Sequence, residues 1–154
     1  RADEIASRAA RVWLLDEFLL RSDAFFKLRV ASIEQSAFKQ KIKLQPRCHH
    51  RAEPPAADGL PVGAAATLSL LQSLGLEVEM LEAGCCGMAG TFGYEAEHYE
   101  LSMKVGERIF NSEFGIQNSE FVCSGAACRM QVTQGARVEA RHPLEVVWDV
   151  ISHQ

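Results

Sequence analysis

Residues 77–87 read Glu77-Val78-Glu79-Met80-Leu81-Glu82-Ala83-Gly84-Cys85-Cys86-Gly87. Glu77 to Glu82 has the pattern of a strand, and it runs out onto two adjacent cysteines set between glycines. Upstream, Val62 to Leu74 is built of good helix formers, and Gly75 suits the left-handed position just past a helix end. Before that lies a loop from Glu53 to Pro61, with three prolines and one glycine. Further back, Lys41-Ile42-Lys43-Leu44-Gln45 alternates as a half-buried strand does and leads through Pro46 to Cys48. Downstream, the Gly90 and Gly93 loop gives way to helical spacing from Glu95 to Phe110 through Tyr99, Met103, Gly106 and Phe110. Glu120-Phe121-Val122-Cys123 is a third short strand, followed by Ser124-Gly125 and a helix from Ala126 to about Gln134. Arg137 to Ala140 is a candidate fourth strand. Pro143 starts a closing helix, Leu144 to Ile151, whose apolar side is Val147, Trp148 and Ile151.

At the other end, Ile5 to Leu20 places Ile5, Ala9, Val12, Leu15, Phe18 and Leu19 at helical spacing, with Arg8, Arg11, Asp16 and Glu17 between them. This predicts one amphipathic helix packed by its apolar side, with Trp13 and Trp148 in the core. Ser22 to Lys41 stays open between a short strand and a covering segment around Phe25, Phe26, Leu28 and Val30. The alternation of strands and helices predicts an α/β fold of three layers, a mostly parallel β-sheet with helices on both faces. Thirty-six residues separate Cys48 from Cys85, and thirty-six separate Cys86 from Cys123, enough for one crossover unit each. Parallel strands would bring Cys48, Cys85, Cys86, Cys123 and Cys128 to one carboxyl rim, where open sheets bind ligands.

The chain has 154 residues, 47% hydrophobic and 23% charged, enough for one core. A net charge of −4 argues against a nucleic-acid surface. Val62 to Leu76 is too interrupted by polar residues and glycine to span a membrane. Five cysteines are too sparse for a disulfide scaffold, and an odd number points to a reducing, cytoplasmic setting. Thiolates select iron–sulfur clusters, zinc or cuprous copper. Adjacent cysteines serve neighbouring irons of a polynuclear cluster more easily than one tetrahedral ion, while the bland alternative is a set of buried small side chains. No dinucleotide fingerprint or nucleophile constellation stands out.

The run Gly84-Cys85-Cys86-Gly87-Met88-Ala89-Gly90-Thr91-Phe92-Gly93-Tyr94-Glu95, with Cys48-His49 before it and Cys128-Arg129-Met130-Gln131 after it, resembles the cysteine-rich CCG domain. That domain occurs in heterodisulfide reductases and in the iron–sulfur parts of glycolate, lactate and glycerol-3-phosphate dehydrogenases. The Phe92-Gly93-Tyr94-Glu95 form is similar to the branch of large FAD-linked oxidases that act on D-2-hydroxy acids such as D-lactate or D-2-hydroxyglutarate. The match extends through His98-Tyr99-Glu100 to Ser102-Met103-Lys104.

The resemblance implies an electron-transfer domain holding a 4Fe-4S type cluster on Cys48, Cys85, Cys86 and Cys128, with zinc as the alternative. FAD and the substrate site would lie in the parent chain outside this fragment, so the isolated domain would not oxidise substrate. The partners implied are the parent's flavin and ferredoxin-like domains and a downstream electron acceptor, which would place a cytoplasmic protein at the periphery of a membrane. On this reading the chain, which opens at Arg1, is a piece of a longer protein: 1–40 is the tail of a preceding repeat and 41–154 is the CCG domain. Here Cys123 and Cys128 form Cys-x4-Cys where the pattern has Cys-x-x-Cys, so Cys123 stands open between ligand and core thiol. His49 and His50 are open between ligand and loop histidine. His98 reads as part of a solvated helix face, and Arg129 as a charge that offsets a thiolate-bound cluster. A zinc-binding or metal-free structural module, or a dithiol that reduces a disulfide substrate, are the rival functions.

Overall fold

The computed structural model describes residues 1–9, 12–25, 27, 41–111 and 119–152. Its centre is a four-stranded parallel sheet in the order β2-β1-β3-β4, made of β1 (Ile42–Leu44), β2 (Val78–Met80), β3 (Glu120–Val122) and β4 (Ala140–Arg141). Ile42 pairs with Val78 on one side and Glu120 on the other, so β1 is central and fully buried. Phe121 pairs with Ala140 at the far edge. The helices are α1 (Ala2–Ala9), α2 (Leu15–Leu20), α3 (Cys48–Arg51), α4 (Gly63–Ser73), α5 (Tyr99–Phe110), α6 (Ala126–Ala136) and α7 (Pro143–Ser152).

The strand period of two sorts the core into two halves. On one face Ile42, Leu44 and Val122 meet Leu70, Leu71 and Leu74 of the α4 region and Val146, Val147 and Val150 of α7. On the other, Phe121 and Cys123 meet Ile109 of α5 and Val132 and Ala136 of α6. Helices therefore cover both faces, and the three-layer expectation holds. Parallel strands all end toward the same rim, which receives the chain after Leu44, after Met80 and after Val122.

Several boundaries differ from the sequence reading. The N-terminal segment is two helices, not one, with 12–14 outside them, and its apolar residues stay exposed: Ile5, Val12, Leu15 and Phe18 are all more than half accessible. The buried residues there are Asp16 and Glu17. The reason is hydrogen bonding. Glu17 accepts the Gly63 N–H at 2.8 Å and the Leu14 N–H at 3.0 Å, placing its carboxylate on the first turn of α4, while Asp16 accepts the Thr67 hydroxyl and the Glu17 N–H. Trp13 lies outside a helix, with the Arg21 guanidinium 3.9 Å over its ring, and Trp148 is 64% exposed, not core.

Phe25 does enter the core, whereas Phe26, Leu28 and Val30 lie outside the described residues. Two 3-10 turns, Phe92–Tyr94 and Ala96–His98, precede α5, whose buried face is Ser102, Gly106 and Ile109 and not the Tyr99–Met103 line. The last strand starts at Ala140 because Arg137 ends α6 in the left-handed conformation, with φ 55.

Candidate thiol cleft at the carboxyl rim

Each cysteine owes its place to a strand end. Cys48 begins α3 just past β1, and Cys85 and Cys86 lie in the loop past β2. Cys123 directly follows β3, and Cys128 stands in the first turn of α6. Cys48, Cys85, Cys86 and Cys128 line one cleft of about 830 Å³, together with Arg47 and His49. Within it, Cys86 Sγ is 3.1 Å from Cys128 Sγ, and the Cys85 thiol is near enough to Cys48 to act on its charge. Cys123 is not on the cleft wall. It is fully buried in the core cluster against which Cys128 packs.

The vicinal loop is held by close backbone packing. Gly87 has φ 94, and a Cβ there would lie 2.0 Å from the Ser102 carbonyl oxygen, so no other residue fits. The Gly87 N–H donates to Cys85 Sγ at 3.3 Å, as donors to cluster-ligating sulfurs do. Across the cleft, a Cβ at Gly125 would lie 3.0 Å from Cys128 Sγ and 3.0 Å from Arg47 Cγ, so the glycine leaves that sulfur open to the cleft.

Arg129 points its guanidinium at backbone, donating to the carbonyls of Cys123 at 3.0 Å and Ser124 at 3.2 Å. It fixes the β3–α6 turn. Gln45 donates to the Gly84 carbonyl at 2.8 Å, tying the end of β1 to the loop of the vicinal cysteines. His49 lines the cleft, exposed, whereas His50 is buried with Nδ1 3.4 Å from Ser124 Oγ, facing a separate small cavity. His98 stacks on Phe92 with ring centroids 4.1 Å apart, beside exposed Glu95 and Glu97, away from the cleft wall.

The thiols act on one another. The hydrogen bond to Cys128, followed by burial, pushes Cys86 far up, and the neighbouring Cys123 thiol pushes Cys128 up to about 12. Cys123 is drawn down, chiefly by the neighbouring Cys128 thiol. Burial raises Cys48, with Cys85 adding to it. A soft cation that replaces these protons therefore has to displace them, and its binding is proton-linked. Among the described residues, the trio whose ligand atoms all lie within 4.8 Å of one another is Glu95, Glu97 and His98, and no three cysteines form one. A tetrahedral zinc with Zn–S of about 2.3 Å needs its four sulfurs mutually closer than that. The cleft is too wide for one small ion to reach all four sulfurs, and the Cys86 and Cys128 side chains would turn apart for each sulfur to meet an iron of its own.

Ser102 and Gln131 are legible in the sequence as parts of a motif but not as part of the site. A serine and a glutamine on helix faces that bury apolar neighbours are the signal that could have found them.

Fold and site define a cysteine-rich α/β domain whose thiols meet at the carboxyl rim of a parallel sheet. The chain is 39% identical over 74 residues, 48% of its length, to D-2-hydroxyglutarate dehydrogenase of Pseudomonas putida, and 31% identical over 103 residues, 66% of its length, to D-2-hydroxyglutarate dehydrogenase of Escherichia coli. It is 30% identical over 82 residues, 53% of its length, to one subunit of the anaerobic glycerol-3-phosphate dehydrogenase of Escherichia coli. These matches take in 7%, 10% and 21% of the three relatives, so the chain corresponds to a small segment of each. No family model and no solved structure matches it. The chain is thus similar to a segment of these dehydrogenases, as the resemblance to large FAD-linked oxidases implies.

Proposed function

We propose that the chain is the iron–sulfur electron-transfer domain of an FAD-linked dehydrogenase that oxidises a D-2-hydroxy acid. The observation that carries this reading is the convergence of Cys48, Cys85, Cys86 and Cys128 on one cleft. When bound, an iron–sulfur cluster supplies one-electron acceptance and donation. The four lining thiols would hold it, and Cys123, set behind Cys128, orients that thiol from the core. The Gly87 N–H stabilises charge on the Cys85 sulfur, and Arg47 at the cleft offsets the negative charge of the thiolates. Met88, almost fully buried, shields one wall from water, as a redox centre of controlled potential requires. The matches to D-2-hydroxyglutarate and glycerol-3-phosphate dehydrogenases support the wider setting. FAD, the hydroxy acid and the electron acceptor then belong to the rest of such a protein. No helix of the described residues is long and apolar enough to cross a membrane.

Anaerobic purification followed by iron, sulfide and zinc analysis tests the reading. Stoichiometric iron and sulfide is the expected result. Stoichiometric zinc, or no uptake of iron and sulfide on reconstitution, overturns it. Serine at Cys48, Cys85, Cys86 or Cys128 should lower iron retention, and serine at Cys123 should retain the cluster.

A further inference from the structure

Two motif residues have no part in ligation, yet both are almost completely buried: Ser102 on α5 and Gln131 on α6. Gln131 Nε2 donates to Ser102 Oγ at 2.9 Å, and Ser102 Oγ donates to the Gly87 carbonyl at 2.9 Å. The chain of bonds closes on itself. Gln131 lies on α6 three residues after Cys128, Gly87 directly follows Cys86, and the sulfurs of Cys86 and Cys128 are 3.1 Å apart. Backbone contacts brace the same ring, since a Cβ at Gly93 would lie 2.5 Å from Ser102 Oγ and one at Gly106 would lie 2.7 Å from the Cys86 carbonyl oxygen. A core this tight fixes the two backbone positions that carry Cys86 and Cys128, because a buried polar chain keeps its bonds or leaves donors unpaired.

We propose that Ser102 and Gln131 are positioning residues that set the separation of Cys86 from Cys128, tying the vicinal-cysteine loop to the helix that carries the fourth thiol. The hydroxyl is both acceptor and donor here, a role that alanine cannot fill and that threonine can. The proposal deepens the thiol-cleft reading of function, but its test uses the metal-free chain, so each can fail without the other.

The probe is dibromobimane, a short bifunctional alkylator. At each end one C–S bond forms, one C–Br bond breaks, and bromide and the thiol proton leave. Peptide mapping of the full metal-free chain then gives the ratio of Cys86–Cys128 bridging to single alkylation of Cys128. The ratio is read well below each variant's melting temperature, so loss of fold does not enter it. Ser102→Ala and Gln131→Met are expected to lower the ratio about tenfold, the scale of one buried hydrogen bond. Ser102→Thr should keep it. A wild-type ratio in both Ser102→Ala and Gln131→Met overturns the assignment, and so does a Ser102→Thr ratio as low as that of alanine. Should the variants not fold, the wild-type chain still decides the matter by NMR. The Gln131 side-chain amide protons should exchange with solvent at least about a hundredfold more slowly than those of an exposed glutamine, and exchange at the free rate overturns the assignment.

Discussion

Gly87 is where the thiol cleft is most exposed to a single change. Its φ of 94 and the missing Cβ are both used, one to turn the loop and the other to admit the Ser102 carbonyl. Gly87→Ala should therefore cost on the order of 3 kcal/mol in urea unfolding, by strain and by overlap together. Loss of that magnitude is not expected at Gly84, which also has a positive φ but open space around its Cβ position. His142 offers a second test at this scale. It precedes α7 and accepts the Leu144 N–H on Nδ1 at 3.2 Å, while its own backbone N–H donates to Glu145. Burial, with Arg129 adding to it, lowers its pKa, so the folded state favours neutral imidazole. The unfolded chain then binds a proton at a pH where the folded chain does not, and stability falls as pH drops below about 6.5. His142→Asn keeps a capping side chain without the titration. Its melting temperature should vary less than that of the wild type between pH 7 and 5; equal slopes would place the dependence elsewhere.

At the scale of elements, the N-terminal segment shows what periodicity can and cannot say. Apolar spacing from Ile5 to Leu20 predicts a face to be buried, but the burial goes to Asp16 and Glu17. Their partners, the Gly63 N–H and the Thr67 hydroxyl, lie about fifty residues away, and no local pattern announces a carboxylate that caps a distant helix. Glu17→Ala leaves the Gly63 and Leu14 N–H groups without this acceptor and should cost about 1–3 kcal/mol. Hydrogen exchange should rise first in the opening turn of α4. The strands are legible because Lys41 to Gln45 and Glu120 to Cys123 bear both local signals, β-forming side chains and a following break. The fourth strand lies later than its pattern suggests because the left-handed turn at Arg137 has no glycine to mark it. Gly135, the nearest candidate marker, is occupied elsewhere: a Cβ there would lie 2.6 Å from the Phe110 ring.

Over the whole molecule, the rim location of the cysteines follows from topology alone. Strands that all run one way must deliver their carboxyl ends to one edge. Which sulfur pairs with which does not follow, because that depends on how α6 and the Cys85–Cys86 loop pack, and hence on Ser102 and Gln131. Nor does the retreat of Cys123 into the core, which rests on strand parity: Cys123 shares a face with Phe121. Protonation links cleft to solution. Because the thiols of Cys86 and Cys128 are held protonated at neutral pH, loading the chain with ferrous iron and sulfide at pH 7 should release protons. A weakly buffered indicator dye reads them directly, and loading should quicken from pH 7 to pH 9.

The left-handed arginine that ends α6 has a practical meaning for anyone handling this protein. Arg137 holds a backbone shape that costs an L-residue about 1–2 kcal/mol and a glycine almost nothing. It is exposed and at the opposite end of α6 from Cys128. Arg137→Gly should raise the melting temperature by about 2–4 °C, less whatever the freer unfolded chain takes back. On the proposed iron–sulfur reading, loading is limited by how long the empty scaffold survives. A sturdier helix end would lengthen that interval without altering one atom of the cleft.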